Sequence, residues 1–149
     1  MPDTPYTQEA LLRTTPPESR EFDIVFDGGS LGNPGKGYGS YEIMSAGEVY
    51  HGPHRHEYGD RITNNQAEYM TLIEALKWLA SDLGDDRKRA RVRIHGDSRL
   101  VVNQVNGVWK VKHANMIPLV DQVKKLFKEF GSCTIEWHPR AKSVERLGH

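Results

Sequence analysis

One cysteine, Cys133, stands in a chain of 149 residues, which excludes a disulfide framework within the chain and fits a reducing compartment. No apolar run is long enough to cross a bilayer, and the N-terminus has no hydrophobic stretch of the signal-peptide kind. Charge of neither sign is in excess: Lys plus Arg and Asp plus Glu each number 20. No global basic field can draw in a polyanion, so any hold on nucleic acid has to come from local patches or from metal. The length suits one domain that buries a core without staples. These bounds predict a soluble, cytoplasmic protein, a monomer with no obligate protein partner and no membrane contact.

What is present is organised around Phe22 to Gly35, FDIVFDGGSLGNPG. Phe22, Ile24 and Phe26 alternate with Asp23, Val25 and Asp27, the period of a strand. Asp27 is expected at the strand's end, on the face opposite the apolar side chains. Gly28, Gly29, Gly32 and Gly35 then read as a loop without obstructing Cβ atoms. Residues 1–21, with Pro2, Pro5, Pro16 and Pro17, read as a flexible arm, and residues 22–149 as the folded domain.

Further on, Gly37 to Ala46 and Gly47 to Gly59 read as two strands joined by a tight turn at Ala46-Gly47. His51, His54 and His56 on the second are read as surface histidines, because no Cys or carboxylate joins them at zinc spacing. Thr63 to Leu83 carries an apolar stripe at helical spacing, with capping residues before it and Gly84 after it. Glu68 lies in its first turns, where an acid ordinarily just complements the helix dipole. Val92 and Ile94 mark a strand that ends in Asp97, and Ser98 can cap a helix from Arg99 to Asn106. A striped helix from Ile117 to Phe130, a strand from Cys133 to Trp137 and a terminal helix capped by Ser143 complete the order. That order implies an α/β fold with a mixed sheet and helices on both faces.

If the alternation brings Asp27, Glu68 and Asp97 together, each pair of carboxylates roughly 4–5 Å apart repels by about 3–4 kcal/mol at an effective dielectric near 20. Such a cluster persists when a divalent cation occupies it or when one acid takes a proton. Oxygen donors alone favour Mg²⁺, with Mn²⁺ as substitute, over zinc. An all-carboxylate site with open cation positions suits two-metal phosphodiester hydrolysis.

Asp27 in DGGSLGNPG, Glu68 in TNNQAEY and Asp97 in GDSRLVVNQ together resemble type 1 ribonuclease H, in order and in flanking residues, from about Phe22 onward. The resemblance implies a ribonuclease H-like fold with a five-stranded mixed sheet. It also implies Mg²⁺-dependent endonucleolytic cleavage of the RNA strand of RNA–DNA hybrids, leaving 3′-hydroxyl and 5′-phosphate ends. Substrate contacts would then fall at Gly28, Gly29, Asn33, Asn64 and Gln66 on the minor-groove side, with Trp109 and Lys110 on the DNA strand. Taken singly, Asn64 suits a helix cap equally well, and Trp109 could be a core residue.

The family's usual fourth carboxylate, an Asp in the last helix, is missing from Pro139 to His149. Glu145 matches its local context; His149, one turn further and next to a glycine, is favoured as the stand-in metal ligand and catalytic group, and the remaining alternatives are that neither binds metal or that the true ligand lies beyond His149. Only Gly107 to Met116 separates two helices where some relatives carry a basic protrusion, so modest, salt-sensitive affinity is expected. The competing function is a catalytically silent module of the same fold that binds hybrid or double-stranded RNA.

Overall fold

The structure, a computed structural model, describes residues 20–148. The alternation at Phe22, Ile24 and Phe26 forms β1 (Glu21–Leu31), with all three apolar side chains fully buried. β1 pairs antiparallel with β2 (Gly35–Ser45), which pairs antiparallel with β3 (Glu48–Ile62). On its other side β1 runs parallel to β4 (Arg91–Gly96), and β4 parallel to β5 (Ser132–Trp137). The result is the expected five-stranded mixed sheet, ordered β3-β2-β1-β4-β5. The β2–β3 hairpin turns at Ala46 and Gly47, both at positive φ, which matches the twist of the strands they join.

One sheet face carries the core. α1 (Asn64–Leu83) lays Tyr69, Leu72, Ile73, Leu76 and Leu79 over β1 and β2. Its start is a reciprocal capping box: the Thr63 hydroxyl accepts from the Gln66 N–H at 3.1 Å, and the Gln66 side chain accepts from the Thr63 N–H at 2.9 Å. Gly84 stops it and leads through a 3₁₀ turn (Gly84–Arg89) into β4. α2 (Arg99–Val105) is capped by Ser98, as expected, and α3 (Ile117–Phe127) packs Val120 and Val123 inward. The opposite face is covered by α4 (Arg140–Leu147), whose Arg146 meets Glu42 on β2. No helix among the described residues is long and apolar enough to cross a membrane.

Three local expectations are corrected. β1 does not end at Asp27 but runs on to Leu31, because Gly28 to Leu31 stay paired with Lys36 to Gly39 of β2. Gly28 and Gly29 are therefore strand residues, and the turn follows at Gly32 to Pro34. α3 stops at Phe127, yet Phe130 remains buried in the turn beyond. Ser143 caps nothing: Pro139 precedes α4, and the buried Ser143 hydroxyl meets His138 Nε2 at 2.7 Å. Of the arm expected over residues 1–21, residues 1–19 lie outside the described residues, while Glu21 opens β1.

Candidate active site

Three elements converge at the crossing of β1, β4 and α1. Asp27 projects from β1 on the side opposite Phe26 and is 2% exposed. Glu68, near the start of α1, is 6% exposed, and Asp97 is the first residue beyond β4. Ligand atoms of the three carboxylates lie within 4.8 Å of one another. This is the only group of three or more potential metal-ligating side chains among the described residues.

The approach depends on Gly28. A Cβ there would sit 2.5 Å from the carbonyl of Ala67 and 2.7 Å from the Glu68 nitrogen, so only glycine lets α1 descend onto β1. The Gly28 N–H also donates to the Glu68 carboxylate. Burial above all, then the charge of Asp27, the hydrogen bond between the two acids and the charge of Asp97, hold the Glu68 carboxyl well above its ordinary range. Glu68 Oε2 and Asp97 Oδ2 are sealed from solvent and accept no hydrogen bond. Sealed acceptors of this kind are costly unless something electropositive meets them. An all-oxygen donor set around such atoms fits a hard divalent cation held by Asp27, Glu68 and Asp97.

The surroundings add groups that the sequence did not mark. Arg140, the first residue of α4, places Nη1 3.7 Å from Asp97 Oδ2. The Trp137 indole donates to the Asp97 carbonyl at 3.1 Å, and the Arg99 guanidinium lies 3.9 Å over the Trp137 ring. The only sequence signal for Arg140 is its place just after β5, the neighbour of β4.

Along the rim, Asn64 Oδ1 accepts from the Ser30 N–H at 2.8 Å, and Asn33 Oδ1 accepts from the Asn64 N–H at 3.0 Å. Both acceptor oxygens are committed to backbone, so each amide offers its NH₂ outward. The Gln66 carbonyl is taken by the capping box. Gly29 leaves room for the Tyr38 hydroxyl, which would lie 2.7 Å from a Cβ there. Trp109 is no core residue: it is 46% exposed and, with Lys110, lines a pocket of about 430 Å³ beside α2 that also includes Gln104 and Lys112. Buried Gln104 anchors that loop, accepting from the Tyr69 hydroxyl at 2.7 Å and donating to the Lys110 carbonyl at 3.4 Å.

Of the two fourth-ligand candidates, Glu145 is exposed on α4 and does not join the acid group, and His149 lies outside the described residues. The histidines of β3 form no metal-ligating group among the described residues: His51 stacks on Trp78 and meets His54 edge to face at 4.8 Å, and His56 pairs with Glu74 at 3.0 Å. Burial pushes the Cys133 thiol up, which leaves it without thiolate character.

The family described as Reverse transcriptase-like matches residues 26–145. The Ribonuclease HI of Halobacterium salinarum is 36% identical over 85% of this chain and 60% of its own length. This chain belongs to the ribonuclease H family. Its fold agrees with solved ribonuclease H domains. The N-terminal RNase H domain of the Mycobacterium tuberculosis protein Rv2228c is 36% identical, with a TM-score of 0.75 over 87% of this chain and 91% of that one. LC11-RNase H1, solved in complex with an RNA/DNA hybrid, is 31% identical with a TM-score of 0.76, over 83% of this chain and 89% of that one. The chain spans about a third (32%) of the length of the curated mycobacterial protein Rv2228c.

Proposed function

We propose that this protein is an endonuclease that hydrolyses the RNA strand of RNA–DNA hybrids with Mg²⁺, or Mn²⁺ in its place, leaving 3′-hydroxyl and 5′-phosphate ends. The observation that carries the reading is the convergence of Asp27, Glu68 and Asp97, with Glu68 Oε2 sealed from solvent and met by no hydrogen-bond donor. Divalent ions held there supply positive charge that activates a water and stabilises the leaving oxygen. The protein's own part begins with charge: burial and the neighbouring carboxylates disfavour the ionised form of Glu68, and a bound divalent cation would offset that. Asp97 is fixed through its carbonyl by Trp137, which limits how far its carboxylate can stray. Arg140 faces the position where a phosphodiester oxygen would approach Asp97, and its guanidinium can hydrogen-bond a phosphate from the open side.

Strand choice follows from the rim. The outward NH₂ groups of Asn33 and Asn64 are donors, suited to the acceptor atoms of a minor groove and to 2′-oxygens of RNA. Gly28 and Gly29 are proposed to meet the substrate through their backbone, since the Cβ space at the one is taken by α1 and at the other by Tyr38, and Gln66 holds the cap on which Asn64 depends. Trp109 with Lys110 and Lys112 offers the DNA strand a stacking face among cations. The hybrid seen with LC11-RNase H1 supports this assignment of substrate. His149 is the proposed fourth ligand. Titration of Mg²⁺ and Mn²⁺ against an end-labelled hybrid, with Asp97→Asn as control, tests the proposal. Cleavage confined to the RNA strand is expected; hybrid retained without cleavage under either metal would leave only a silent binding module.

A further inference from the structure

Glu42 is a buried charge that the acid cluster does not use. It lies on β2, opposite Val25 of β1 and one alternate position from Ser40, the partner of Asp27, and is 3% exposed. Arg146 of α4 donates to its Oε1 from Nε at 2.7 Å and again from Nη2, which also faces the Met44 sulfur at 2.9 Å. A carboxylate so deep in the fold requires such a partner.

The helix that supplies the partner is poorly anchored otherwise. α4 has eight residues, of which only Ser143 and Leu147 are buried; Val144 is 43% exposed, and no side chain caps the N-terminus. A helix this short does not hold itself together in water. Its two arginines, six positions apart, reach in different directions: Arg146 to Glu42, and Arg140 to Asp97. Buried ion pairs contribute little net stability compared with apolar packing, but one can fix the register of an element. A rotation of α4 by one residue, about 100°, would turn Arg140 away from Asp97.

We propose that Glu42 is a positioning residue: through Arg146 it fixes the rotation and height of α4 and thereby holds the Arg140 guanidinium against the acid cluster. The inference rests on the nuclease reading only for its kinetic consequence. The informative variant is Glu42→Leu combined with Arg146→Met, which replaces the pair by apolar groups and should fold with an unchanged or higher melting temperature. With substrate absent, Mn²⁺ should bind this variant several-fold more tightly by calorimetry, because a competing cation has left the carboxylates. On hybrid, kcat should fall about tenfold with KM little changed. Adding Arg140→Ala should change neither quantity further, since residues acting through one another are not additive. Glu42→Gln, which keeps the acceptor without the charge, should shift both quantities the same way by less, and it decides the matter if the double variant does not fold. Parent-like Mn²⁺ affinity in a folded variant, or full additivity with Arg140→Ala, would overturn the proposal. Absence of hybrid cleavage by the unaltered protein would instead defeat the nuclease reading, and the calorimetry would still decide the role of Glu42.

Discussion

Replacing Glu68 by Gln should make the metal-free protein more stable while abolishing its proposed activity. With ligand atoms no more than 4.8 Å apart, each pair of full charges repels by about 3.5 kcal/mol at an effective dielectric near 20. Glu68 takes part in two of the three pairs, and its raised carboxyl, which favours the neutral form, relieves part of that repulsion. A net gain of about 2–3 kcal/mol near neutral pH is the expectation, or roughly 8–12 °C in melting temperature for a domain of this size. Gln can still accept from the Gly28 N–H and donate to Asp27, so no new polar group is orphaned. The sign follows from the raised carboxyl. A group whose pKa is higher in the folded state carries no penalty below its unfolded value, and stability falls as pH climbs from there toward the folded value. The variant's advantage should therefore vanish near pH 4 and grow above about pH 5. Thermal unfolding by circular dichroism in EDTA, near pH 4 and near pH 7, measures both arms. Millimolar Mg²⁺ should then stabilise the parent and leave the variant nearly unchanged. A variant no more stable than the parent near pH 7, or equally favoured at both pH values, refutes the picture of mutually repelling acids.

Gly28→Ala should cost at least about 3 kcal/mol by urea unfolding, because the methyl group meets backbone of α1 at 2.5 Å, and should lower cleavage about 100-fold by displacing Glu68. His149→Ala should slow hybrid cleavage more than Glu145→Ala in initial rates at limiting metal; the reverse order would move the fourth ligand to Glu145. Trp109→Ala should raise KM for hybrid roughly tenfold with kcat and melting temperature nearly unchanged, since half of the ring already faces solvent. A large loss of stability there would instead assign Trp109 to packing.

The acid trio was legible from the sequence because each member sits at a junction with strong local signals: an alternating strand, a capped helix, and a strand followed by a serine cap. What escaped was non-local. Composition marks Gly28 and Gly29 as loop residues, yet their pairing to β2 is decided by hairpin partners eleven and nine residues on. Glu42 alternates out of the core and reads as a wet position; only the return of α4 to that face, 104 residues later, buries it. Arg140 and Trp137 gain meaning from the parallel neighbours β4 and β5, a register that periodicity along one segment cannot supply. Ser143 misled for the opposite reason, since a serine near a helix start suggests a cap until its hydroxyl finds His138.

Because β1 and β4 lie side by side and parallel, a whole excursion through β2, β3 and α1 separates the two aspartates in time as well as in sequence. During synthesis, residue 27 emerges long before residue 97, and no half-made chain holds a competent cation cage. The cage for the proposed cations is thus completed in one step, when β4 docks beside β1, and any fluctuation that peels β4 away takes it apart again.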